Sequence, residues 1–111
     1  MVRGTDNTFE FVLTDGFGNP VDISADEVQV TVRDYYSGDI KIQKANLAGT
    51  HLDGPNGKTA FTFTRADLAE AAETETTFWL YEVRRVRIDA TENVHIQGQF
   101  VIVPAVGGNE T

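Results

Sequence analysis

Two histidines, His51 and His95, are the residues of this sequence best suited to hold a proton or a metal near neutral pH. His51 stands two positions before Asp53, and a histidine beside a carboxylate can serve as acid, base or ligand. No His-x-x-x-His pair is present, and with no cysteine there is no thiolate ligand and no cysteine nucleophile. The two serines, Ser24 and Ser37, lie outside any Gly-x-Ser-x-Gly context. Asp15-Gly16-Phe17-Gly18-Asn19 and Asp53-Gly54-Pro55-Asn56-Gly57 carry oxygen donors, but they lack the acidic density of a calcium loop. Their Gly, Asn, Asp and Pro are what tight turns need. Gly57-Lys58-Thr59 has the ending of a phosphate loop, yet no glycine stands five places earlier and the segment enters a strand. The expectation is therefore no catalytic residues, no metal ligands and no cofactor.

The residues that remain are binders. Phe17, Tyr35 and Tyr36 fall in or beside turns, where an exposed ring anchors a protein partner or stacks on a sugar. Arg84, Arg85 and Arg87 cluster beside Glu82. They read either as a small basic patch for an anionic partner or as a solvated face balancing Glu70, Glu73 and Glu75. These six are the candidate binding residues.

The elements that position them repeat with a period of two. Phe9, Phe11 and Leu13 share one face against Glu10 and Thr14; Val28, Val30 and Val32 alternate with Gln29, Thr31 and Arg33. Ile40 and Ile42 alternate with Lys41 and Gln43, and lysines on a short strand place it at a sheet edge. Phe61 and Phe63 point inward from the next strand. Residues 76–88 read as a strand in which Phe78, Trp79, Leu80, Tyr81 and Val83 give a nearly continuous apolar run, with Trp79, Tyr81 and Val83 on one face. Residues 89–93 read as a hairpin loop. Val94, Ile96, Gly98, Phe100 and Ile102 then alternate with His95, Gln97 and Gln99. Residues 65–73 are rich in Ala, Leu and Glu and predict one short helical crossover, with Thr64 and Asp67 capping it. About seven strands with frequent turns predict an all-β, immunoglobulin-like antiparallel sandwich; a closed five- or six-stranded barrel is the alternative. Residues 1–104 read as one domain and residues 105–111 as a flexible tail.

The charge closes off other classes. With 9 Lys and Arg against 17 Asp and Glu, the chain carries a net charge of −8 and a pI near 4.5. Nucleic acid and anionic membrane surfaces are not expected partners. No apolar run reaches the roughly 20 residues of a membrane span.

Asn7-Thr8-Phe9-Glu10-Phe11-Val12-Leu13-Thr14-Asp15-Gly16-Phe17-Gly18-Asn19-Pro20-Val21 gives an opening strand and its turn, and Val28-Gln29-Val30-Thr31-Val32-Arg33 a valine-rich strand with a basic end. Gly57-Lys58-Thr59-Ala60-Phe61-Thr62-Phe63-Thr64, Trp79-Leu80-Tyr81-Glu82-Val83 and Gly98-Gln99-Phe100-Val101-Ile102-Val103-Pro104 follow. Over roughly residues 7–104 this series resembles the N-terminal immunoglobulin-like domain of phage baseplate upper proteins and related tail-associated modules. The resemblance implies a non-enzymatic structural or assembly protein of a phage or prophage particle. Its expected partners are other phage structural proteins, with a homo-oligomer among the arrangements. Its expected location is the virion, or the host bacterial cytoplasm before assembly. A carbohydrate- or surface-binding module is the alternative, one that would use Phe17, Tyr35 and Tyr36 as a platform.

Overall fold

Alternation becomes six strands: β1 (Asn7–Val12), β2 (Glu27–Asp34), β3 (Ile40–Asn46), β4 (Lys58–Phe63), β5 (Thr77–Val86) and β6 (Glu92–Ile102). They belong to a computed structural model that describes residues 1–69, 71, 75–87, 89 and 91–104. The tail expected at 105–111 lies outside the described residues. β1 pairs antiparallel with β4, and a four-stranded antiparallel sheet runs in the order β3-β2-β5-β6. The ladders form two separate sheets rather than a closed barrel.

Among the described residues six strands form, where about seven were expected. At the start of the chain Val2 makes a lone parallel bridge to Val103, and the Arg3 N–H donates to the Val103 carbonyl at 2.9 Å. That pairing is too short to be a strand.

The inward rows meet between the sheets. Leu13, Val28, Val30, Val32, Phe61, Phe63, Trp79, Val83 and Ile102 are buried in one cluster, joined by Ile23 and Leu68 from the connections. Aromatic rings tie the two sheets together. Phe9 and Phe63 lie 5.4 Å and 5.2 Å from Phe100, and Phe11 lies 5.9 Å from Tyr81. Burying a large apolar side chain contributes about 1.5–3 kcal/mol, so this cluster holds the fold without cross-links.

The helical crossover is corrected. Residues 65–69 form successive turns, with Ala69 N–H bonded to the Ala66 carbonyl at 3.3 Å and Ala71 N–H to the Leu68 carbonyl at 3.0 Å. Part of the stretch, residues 70 and 72–73, lies outside the described residues. The predicted cap forms all the same. Thr64 N–H donates to Asp67 Oδ2 at 2.8 Å, and Asp67 N–H donates to Thr64 Oγ1 at 3.2 Å. Helix nucleation is unfavourable in so short a segment, and burial of Leu68 and Ala71 in the core sets its path instead.

β3 is an edge strand, as its lysines imply. Its two isoleucines nevertheless part company. The β2–β3 register shifts between Val32 and Arg33, so Ile42 opposite Val32 is buried while Ile40 opposite Arg33 faces out. An extra residue in one strand reverses the facing of those beyond it.

Gly57 is fixed by close approach. It has φ 72°, and a Cβ there would sit 2.6 Å from the Leu13 carbonyl oxygen and 2.7 Å from that of Val21. Only glycine fits this crossing of the first long loop over the start of β4.

Candidate functional site

The β2–β3 hairpin tip is built by one carboxylate. Asp34 Oδ1 accepts the N–H groups of Tyr36 at 2.8 Å and Ser37 at 2.9 Å, and the Gly38 N–H bonds to the Asp34 carbonyl at 3.0 Å. The backbone N–H groups of Ser37 and Tyr36 hold the Asp34 carboxyl below its ordinary value. On this tip the rings of Tyr35 and Tyr36 meet edge to face, 5.0 Å apart at 72°. They are 51% and 84% exposed. A side chain with few rotatable bonds on a hydrogen-bonded turn loses little entropy on binding.

Phe17 does not join them. It is 91% exposed on the turn after β1, where Asp15 Oδ1 accepts the N–H groups of Phe17 and Asn19. Asp15 lines a groove with Arg85, Arg87 and Asn93, at the β5–β6 turn. The tyrosines follow the other end of β2, beside the start of β5. The three rings therefore form no common platform.

The arginine cluster is divided as well. Arg84 lies on the outer face, 2.8 Å from Glu82 and 3.9 Å from Glu92. Its neighbour Arg85 turns toward the loops and binds the nearly buried Asp26 at 2.6 Å. Arg87 is exposed at the β5–β6 turn beside Asp89. Consecutive strand residues point to opposite faces, so Arg84 is parted from Arg85 and Arg87, which line the end groove together, and each stands near a carboxylate.

The two histidines differ in their contacts. His51 Nε2 lies 2.7 Å from the Asp26 carbonyl oxygen, and Nδ1 lies 3.0 Å from Thr59 Oγ1. Thr59 Oγ1 also accepts from Asn46 Nδ2 at 2.7 Å. Both ring nitrogens of His51 are thus committed to structure. His95 Nδ1 faces the Thr14 carbonyl at 3.3 Å. The sequence also holds Glu92 three places before His95, a spacing that suits ligation on a helix. It falls here on a strand, with the Glu92 carboxylate directed at Arg84. Among the described residues no group of three or more His, Cys, Asp or Glu is placed to hold a metal.

The end groove has a volume of about 540 Å³ and is lined by Thr14, Asp15, Arg85, Arg87, Asn93 and His95 among others. Asp26 beside Arg85 and Asp15 in its wall offset its cations, so it offers no net positive field.

What sequence reasoning missed is the outer face of the four-stranded sheet. Phe78 and Leu80 alternate with the inward Trp79 and Tyr81, so the apolar run of β5 supplies both faces. The signal was present: a strand that is apolar at every position must show half of its side chains to the far side. Phe78 pairs with Val101 and Leu80 with Gln99. The Tyr35 N–H donates to the Phe78 carbonyl at 3.3 Å, which joins the aromatic tip to this face.

Among the described residues no helix is long and apolar enough to cross a membrane. No family model, curated protein or solved structure matches the chain.

Proposed function

We propose that this chain is a non-enzymatic, immunoglobulin-like assembly module of a phage or prophage particle, acting through protein–protein contacts. The immunoglobulin-like part draws on strand order. A β3-β2-β5-β6 sheet facing a β1-β4 pair corresponds to the C′-C-F-G and B-E pairings of that sandwich. The Val2 to Val103 bridge stands where a short first strand would lie on the last. The particle assignment rests on the sequence resemblance over residues 7–104, with a virion or pre-assembly cytoplasmic location following from it.

The observation that carries the docking role is the exposed, edge-to-face Tyr35–Tyr36 pair on its hydrogen-bonded turn. Aromatic side chains held in place are the usual energetic anchors of interfaces. The test is to tag the chain in a lysogen or infected host and purify particles on a density gradient. The chain is expected in the particle fraction at constant copy number, with Tyr35→Ala/Tyr36→Ala reduced there. Full, infectious particles that form without the chain would sink the proposal.

A second reading is a carbohydrate-binding module. It is favoured by a shallow depression of about 410 Å³ on the outer face, where Leu80 sits beside Glu82, Gln97 and Gln99. Amides and a carboxylate beside an apolar floor suit sugar hydroxyls and C–H faces. A glycan array separates the two readings: saturable binding lost in Gln97→Ala supports the sugar.

A further inference from the structure

The outer face of the four-stranded sheet divides into two halves. One half is polar, with a row Gln43–Thr31–Glu82–Gln97 running across all four strands. The other half is apolar. One of its rows is Tyr35–Phe78–Val101, continued at the margin by Val2 and Val103. The next row is Ile40–Arg33–Leu80–Gln99, to which the β3 irregularity contributes Ile40. The seven apolar residues are each between 37% and 51% exposed.

Aromatic side chains present about 150–250 Å² in full and the aliphatic ones lie near the low end, so these fractions leave roughly 500–600 Å² of apolar surface. That reaches the upper end of the largest patch on an ordinary monomer, about 300–600 Å². With the largely exposed Tyr36 beside it, the patch approaches the ~800 Å² each partner gives to a standard interface.

We infer that this face pairs with the same face of a second copy of the chain, about a two-fold axis lying along β5 in the plane of contact. Such an axis keeps each row on its own mate and reverses the strand order. Phe78 then meets Phe78 and Leu80 meets Leu80. The single charge of the two rows, Arg33, meets Gln99 rather than another Arg33. No carboxylate lies in either row. Glu82 meets its own mate beyond the patch, but Arg84 already holds it at 2.8 Å. The face is thus self-complementary, as a two-fold contact requires. The inference holds whether or not the chain belongs to a phage particle.

Sedimentation equilibrium on the purified chain tests it. A dimer is expected at about 50 μM, within the affinity range that interfaces of this size span. Leu80→Glu and Leu80→Lys should each be monomeric alone, because like charges then face each other across the axis. Mixed in equal amounts they should form a heterodimer. Gln99→Glu, an exposed change that leaves the fold intact, should tighten the wild-type dimer about three- to fivefold through Arg33, and Gln99→Arg should weaken it. Gln43→Glu, in the polar half, should leave it unchanged. A wild-type chain that stays monomeric at millimolar concentration would overturn the inference. So would a Leu80→Glu dimer, a monomeric mixture of folded variants, or indifference to both Gln99 changes.

Discussion

Gly98 leaves no room for a side chain. It faces the core from β6 opposite Tyr81, and the tyrosine ring occupies the space its side chain would take. A Cβ on Gly98 would lie 2.5 Å from Tyr81 Cζ and 2.6 Å from Cε1, inside any real contact distance. Such a clash is cheap when a flexible side chain can swing away. Here the ring is held: it stacks on Phe100 at 4.4 Å and 23°, and it meets Phe11 at 5.9 Å. Gly98→Ala should therefore cost the strain of an overfilled core, about 1–3 kcal/mol, plus part of an aromatic contact worth about 0.5–1.5 kcal/mol. The expected loss is about 2–4 kcal/mol, out of the 5–15 kcal/mol typical of a domain. At roughly 4 °C per kcal/mol for a chain of this size, Tm falls by about 8–16 °C. The assay is chemical denaturation of four proteins: wild type, Gly98→Ala, Tyr81→Leu and the double variant. If the ring is the obstacle, Gly98→Ala costs less than about 0.5 kcal/mol in the Tyr81→Leu background, a coupling near 2 kcal/mol. An equal cost in both backgrounds would refute the reasoning.

Asp26→Ala should destabilise the chain by about 3 kcal/mol, because Arg85 with 13% of its side chain exposed loses its 2.6 Å partner. Arg84→Ala, from a third-exposed pair, should cost under about 1 kcal/mol, and urea titrations compare the two. His51 should carry its proton on Nε2, because that atom must donate to the Asp26 carbonyl while Thr59 donates to Nδ1; ¹⁵N ring shifts near pH 8 report the tautomer directly. The Asp34 carboxyl lies below its ordinary 3.8 in the folded chain, so its stabilisation is fully present above pH 3.8 and disappears as pH falls through the lower folded value. The amide resonances of Tyr36 and Ser37 should move together in that acid window, and Asp34→Ala should shift them already at pH 7.

The inward rows were legible because period two and β-branched content are local properties. Val28, Val30 and Val32 are all fully buried, and so are Phe63 and Val83. The capping exchange of Thr64 and Asp67 was legible too, although the described residues that follow it form turns rather than a helix. The misreadings share a cause in register and distance. Nothing in the Ile40-Lys41-Ile42 spelling reveals a shift against β2, so the outward turn of Ile40 appears only once the strands pair. Asp26 joins His51 and Arg85, and Asp67 pairs with Lys44 at 2.9 Å, over separations that no periodicity reports. Of the candidate site, the Tyr35–Tyr36 tip was readable from turn residues. The apolar half of the outer face is carried by Phe78 and Leu80, in the same run that sends Trp79, Tyr81 and Val83 inward, and the spelling alone does not say what lies over the far side.

The charge of −8 acquires a second meaning on this face. It discourages phosphate partners, and it also makes two copies repel. An acidic chain that self-associates must do so where carboxylates are absent, and the two apolar rows meet that condition with Arg33 as their only charge. The balance then depends on ionic strength. At about 0.1 M salt the screening length is about 10 Å, long enough for the acidic rims to oppose contact; at 1 M it is about 3 Å. The dimer should therefore strengthen as sodium chloride rises, because screening removes repulsion while the buried apolar area is unchanged. An interface held by ion pairs behaves in the opposite way. Sedimentation at the two salt concentrations separates them, and a dimer that weakens with salt would show that charge pairs, not the Phe78 and Leu80 rows, hold the copies together.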